Sequence, residues 1–160
     1  NRHIVSGQKP HEILSEEMEK ITHDEKMILA LICVDNDIYA SIKNILNADF
    51  FQIEKHRALA EKIFSMLDSK TEVTIDKLFD LVDEEEHIEY AKIVYNECNC
   101  EDNLKAVMDL IKRIEFTRLS MRQQEIIRKL ADSSLTADER QALNDELKEI
   151  IQRKKIELER

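Results

Sequence analysis

The run 101-EDNLKAVMDLIKRIEFTRLSMRQQEIIRKL-130 decides the architecture of this chain. Leu104, Val107, Met108, Ile111, Ile114, Phe116, Leu119, Met121, Ile126, Ile127 and Leu130 recur along it with no stop signal, and the pattern predicts one long helix. Asp132-Ser133-Ser134-Leu135-Thr136 reads as a turn, and Thr136 with Glu139 forms a capping box that starts a second helix. That helix carries Leu143, Leu147, Ile150, Ile151 and Leu158 on one face, with Lys154 interrupting the stripe. Two long helices joined by a short turn form an αα-hairpin.

The same continuity extends through most of the sequence. The single glycine is Gly7 and the single proline is Pro10, so the 150 residues His11 to Arg160 contain neither. Phosphate-cradling loops, nucleophile elbows and dinucleotide fingerprints need glycine, because the backbone must take positive φ or approach a ligand closely. None can be written here, and no cofactor is expected.

The chain is 42% hydrophobic but only 5% aromatic, so its core must be mainly aliphatic. Its formal net charge of -10 opposes binding to phosphate backbones, and no direct contact with nucleic acid is expected. The longest apolar run, Met27 to Val34, has eight residues, whereas a membrane-spanning helix needs about 20. Residues 1–22 lack the apolar block of a signal peptide. A cytoplasmic protein with reduced cysteines is expected. The first residue is Asn1, which fits a segment of something longer.

Working back from the hairpin, the expected class is all-α: a compact multi-helix bundle followed by a long C-terminal helical hairpin. Residues 1–22 read as a linker or lead-in, 23–117 as the bundle and 118–160 as the hairpin. Thr22 and Glu25 read as a capping box opening a central helix around Ile28, Leu29, Leu31 and Ile32. Asp35-Asn36-Asp37 reads as a turn, and Ile38, Ile42, Ile45 and Leu46 as the apolar face of the next helix. A longer helix begins near Glu54 with His56, Leu59, Ala60, Ile63, Phe64 and Leu67 on its buried stripe. Thr74 is placed to cap the following helix. Asp83 to Glu86 start another, with Ile88, Ala91 and Tyr95 on its buried side.

Charge divides along the chain. Residues 1–117 hold 14 Lys and Arg against 25 Asp and Glu, whereas residues 118–160 hold 10 against 9. A hairpin of two helices has little room to bury two apolar stripes, so part of that surface is expected to meet a partner. The partner-facing set is Met121, Ile126, Ile127, Leu130, Leu143, Leu147, Ile150, Ile151, Lys154 and Leu158.

Candidate chemistry is sparse. His3 and His11 lie in the lead-in, His23 beside a cap and His87 in an acidic, solvated stretch. His56 reads as a core histidine with one hydrogen-bond partner, and Arg57 as half of a structural ion pair. Glu84 to Glu86 with His87 lack the E-x-x-H spacing of helical di-metal sites. Cys33 reads as a small core residue. Cys98 and Cys100, with His87 upstream, lack the usual zinc spacing, and no metal is expected.

The segment Phe50-Phe51-Gln52-Ile53-Glu54-Lys55-His56-Arg57-Ala58-Leu59-Ala60-Glu61-Lys62-Ile63-Phe64, between the EKMILALICVDNDIY helix and TIDKLFDLV, carries a resemblance. This order of elements resembles the C-terminal helicase-binding domain of bacterial DnaG-type primase. The same bundle occurs in the N-terminal domain of the replicative helicase that the primase binds. The resemblance covers about residues 23–160. It implies a non-catalytic domain, monomeric alone, whose hairpin makes the main contact that recruits primase to the hexameric helicase and whose bundle modulates the helicase. It leaves Phe51, His56 and Arg57 structural. Passage from bundle to hairpin with no P-loop favours the primase over the alternative, a helicase N-terminal domain that self-associates and binds primase.

Overall fold

The computed structural model describes residues 10–80, 83–94 and 101–159. Among the described residues there are seven α-helices and no strand: α1 (Pro10–Val34), α2 (Ile38–Ile42), α3 (Glu54–Asp68), α4 (Ile75–Asp80), α5 (Glu84–Val94), α6 (Asn103–Leu130) and α7 (Ala137–Glu159). A single 3₁₀ turn, Ala48–Phe50, precedes α3. Thr22–Ile111 form one compact unit, and the described parts of Asn1–Ile21 and Lys112–Arg160 form the other.

Helix α1 opens at Pro10, so Thr22 and Glu25 lie inside a helix and are not its cap. Proline fits a first turn, where its missing N–H would have no intrahelical partner. Met18, Ile21, Glu25, Ile28 and Ile32 then keep helical spacing across the expected boundary. Ile28, Leu29, Ala30, Leu31 and Ile32 are fully buried, as an all-round apolar helix should be.

Helix α2 stops at Ile42 and is shorter than its apolar pattern suggested. Ile45 and Leu46 both donate to the Ile42 carbonyl in a tight turn, and the helical phase is lost there. Leu46 is buried, but Ile45 is left 53% exposed. Asn47 then caps the 3₁₀ turn by accepting from the Asp49 amide at 2.9 Å.

Without glycine, the end of α3 is made by a lysine. The Thr71 amide donates to the Met66 carbonyl and the Lys70 amide to that of Leu67, the two bonds of a Schellman motif. This places Lys70 at φ 60, a region usually left to glycine. Thr74 accepts from the Lys77 amide at 3.3 Å and starts α4 as its sequence predicts.

Helix α5 differs in rotation from its sequence reading. Ile88 is 66% exposed, while Tyr90 is buried. His87 is half-buried, stacked on Phe79 with centroids 4.6 Å apart, and bonded to the Phe79 carbonyl at 2.9 Å. It joins α4 to α5 and is not solvated. The aromatic pair fixes the face, because Phe79 and Tyr90 have more apolar area to bury than Ile88 alone. Tyr95, Cys98 and Cys100 fall outside the described residues.

Candidate functional site

The motif around His56 builds the start of α3. Ile53 occupies the N-cap position and offers no side-chain bond to the orphan amides. Glu25, from α1, instead takes the two amides just before the first turn. One carboxylate oxygen accepts from the Gln52 amide at 2.8 Å; the other accepts from the Ile53 amide at 3.3 Å and from His56 Nδ1 at 2.8 Å. Glu25 and His56 are both buried. Since the carboxylate only accepts, Nδ1 carries the proton. Arg57 Nε donates to the Phe51 carbonyl at 3.1 Å, so its partner is a backbone oxygen and not a carboxylate. Phe51 is fully buried, edge-on to Phe50 and tilted against Phe64. His56 thus ties the start of α3 to α1 through Glu25, and Arg57 ties it to the Phe51 carbonyl just before the helix.

Sequence reasoning missed Glu25 in this role because it read the residue as the partner of Thr22. The available signal was the lack of Ser, Thr, Asp or Asn before Glu54. A helix start with no local side-chain cap leaves room for an acceptor from elsewhere.

The second unit presents the hairpin. Thr136 accepts from the Glu139 amide at 3.1 Å and starts α7. Arg140 donates to the carbonyls of Leu130 and Asp132 at 2.8 and 3.0 Å, closing the end of α6 where glycine would otherwise serve. Arg122 forks onto Glu146 at 2.8 and 3.2 Å and pairs with Glu125 at 3.1 Å, which also meets Lys129 at 3.1 Å. Lys129 first, and then Arg122, hold the Glu125 carboxyl below its ordinary range.

Lys154 interrupts the apolar stripe by bridging the helices. Its Nζ donates to Gln123 at 2.9 Å and lies 4.9 Å from the Phe116 ring centre. Burial lowers its pKa, and the charge of Glu17 partly opposes that shift.

Each hairpin helix contains an Ile-Ile pair, and successive helical residues turn by about 100°. Ile126 and Ile150 are buried, while Ile127 and Ile151 are each 51% exposed. Leu158 is 75% exposed and Ile156 43%. Met121, Leu130, Leu143, Leu147 and Lys154 are half-buried. The predicted set thus divides: Ile126 and Ile150 serve internal packing, and Ile127, Ile151 and Leu158 face outward. Ile156 was absent from that set. Among the described residues no helix is long and apolar enough to cross a membrane.

The family model described as "DnaB-like helicase N terminal domain" matches residues 17–113. That match spans the Glu25–His56 cage, α3, α4, α5 and the start of α6. No curated protein and no solved structure matches the chain.

Proposed function

The chain belongs to the DnaB-like helicase N-terminal domain family, and from that premise we propose that it is the N-terminal domain of a replicative DNA helicase, which self-associates and binds primase. Domains of this family are non-catalytic oligomerisation and interaction modules. In this domain the outward side of the hairpin carries that interaction, and the parent protein is cytoplasmic. The observation that supports it most is the division of the two Ile-Ile pairs. Ile126 and Ile150 are already buried, whereas Ile127, Ile151 and Leu158 are exposed apolar surface available to another chain.

Light scattering tests this reading. Dimers or rings are expected for the intact chain, and a shift to monomer for Ile151→Asp with unchanged helicity. A strict monomer at high concentration refutes self-association. If Ile151→Asp unfolds the chain, the outward stripe is core and the surface assignment is wrong.

The second reading is the helicase-binding module of a DnaG-type primase, supported by the resemblance around His56 and by a hairpin with spare apolar surface. It expects a monomer that binds a separate helicase N-terminal domain, with the same dependence on Ile151.

A further inference from the structure

A groove of about 630 Å³ lies within the Thr22–Ile111 unit, where α1 and α3 both end. Its walls are firmly built. Tyr39 donates to Asp68 at 2.8 Å and stacks on Phe64 with centroids 4.9 Å apart. Asn36 donates to the Ile32 carbonyl at 2.9 Å and accepts from the Val73 amide at 2.8 Å, tying the end of α1 to the segment before α4.

The field in this groove is negative for two separate reasons. The C-termini of α1 and α3 meet there, and neither helix has a basic residue in its last turn to offset the negative end of its dipole. Asp35, Asp37, Asp68 and Glu72 stand around it against only Lys43 and Lys70. Among the described residues none of these four carboxylates is in an ion pair. The unit as a whole holds nine Lys and Arg against twenty Asp and Glu, a net of -11. The groove also has an apolar edge, since Val34 is 64% exposed.

We propose that this groove docks a short cationic, amphipathic segment of a partner protein, with Lys or Arg side chains on its acidic rim and one apolar side chain against Val34. The site is separate from the hairpin surface and does not depend on how that surface is used. A metal ion is a poor occupant, because among the described residues no three His, Cys, Asp or Glu side chains converge. Nucleic acid is repelled by the same charge.

The probe is a short helical peptide of leucine, alanine and lysine, titrated into the intact chain at physiological salt and followed by amide chemical shifts and fluorescence anisotropy. Shifts centred on Val34, Asp37, Lys70 and Glu72 are expected. Asp37→Lys with Glu72→Lys should weaken binding about tenfold, the scale of two exposed charge contacts reversed. The Asp37 side chain makes no cap bond, and Glu72 is exposed, so the fold should tolerate both changes. Val34→Ser, also at an exposed position, should weaken binding about threefold through lost apolar contact. Glu84→Lys with Glu85→Lys makes the same charge change on α5 and should leave affinity unchanged. Equal weakening by the α5 pair would reduce the effect to general charge attraction and overturn the proposal. So would equal binding of a leucine-free lysine peptide, which makes the site one for any small cation. If the groove variants instead dissociate the peptide-free chain, the occupant is a second copy and the proposal fails.

Discussion

Replacing Glu25 by glutamine tests the view that α3 starts because a carboxylate from α1 reaches it. In the native chain one oxygen takes the Gln52 amide, and the other takes the Ile53 amide and His56 Nδ1. Glutamine can keep its single oxygen on the side shared by Ile53 and His56. Its NH₂ then faces the Gln52 N–H, donor against donor, at a residue that is fully buried. A charge-assisted bond is lost, and a backbone amide is left without that acceptor. Relief from burying a charge returns part of the loss. The balance is about 3 kcal/mol of destabilisation, against a total of about 5–15 kcal/mol for a domain. Urea unfolding followed by circular dichroism measures it directly. With a slope of about 2 kcal/mol/M, the midpoint falls by about 1.5 M. A double-mutant cycle with His56→Ala should give a coupling of about 1–2 kcal/mol, because the two side chains share one bond. A shift below about 0.5 M for Glu25→Gln would falsify the cap assignment and leave α3 held by Phe51 and its apolar stripe alone.

Other tests follow from the same geometry. Lys70→Gly should raise stability by about 1 kcal/mol, because the residue already sits at φ 60 and glycine takes that conformation freely; a lower thermal midpoint would contradict the Schellman reading. Ile150→Ala should cost about 2–4 kcal/mol in thermal or urea unfolding, whereas Ile151→Ala, half-exposed, should cost under about 1 kcal/mol. Arg140→Ala removes two bonds to the end of α6 and should speed hydrogen exchange at the α6–α7 turn without changing the rest of the chain. The folded-state Glu125 carboxyl titrates below its ordinary value, through Lys129 and Arg122, and that of Asp132 does so through Ser134. Their contribution is complete above about pH 5 and is lost as pH falls through the lowered values. The hairpin should therefore loosen on acidification, and Glu125→Gln should flatten that dependence. Both groups are exposed, so the effect is small.

The elements were legible where a local signal and the tertiary context agreed. Thr74 and Thr136 cap α4 and α7 because a hydroxyl three residues before an amide is a self-contained arrangement. The long α6 and α7 follow from uninterrupted spacing. The Thr22 signal failed because a capping box is equally a pair of ordinary helical residues once the preceding segment is helical. The Ile88 assignment failed because apolar spacing gives a helix two competing faces, and the stack of His87 on Phe79 chose between them.

At the candidate interface the sequence supplied the stripe but not its division. Leu143, Leu147, Ile150, Ile151 and Leu158 are equivalent in a linear pattern. Only the tertiary structure buries Ile150 and leaves Ile151 outside. Composition determined the all-α class and removed loop-based active sites, since a chain without glycine or proline after Pro10 has few backbone conformations beyond helix and short turn. What the tertiary structure decided was where charge and surface ended up. It put the Glu25 carboxylate at the start of α3, left four carboxylates around the groove without ionic partners among the described residues, and turned one isoleucine of each hairpin pair outward. The physical reason is the same in each case: burial and hydrogen bonding depend on which helices meet, and a spacing of residues along one helix does not contain that information.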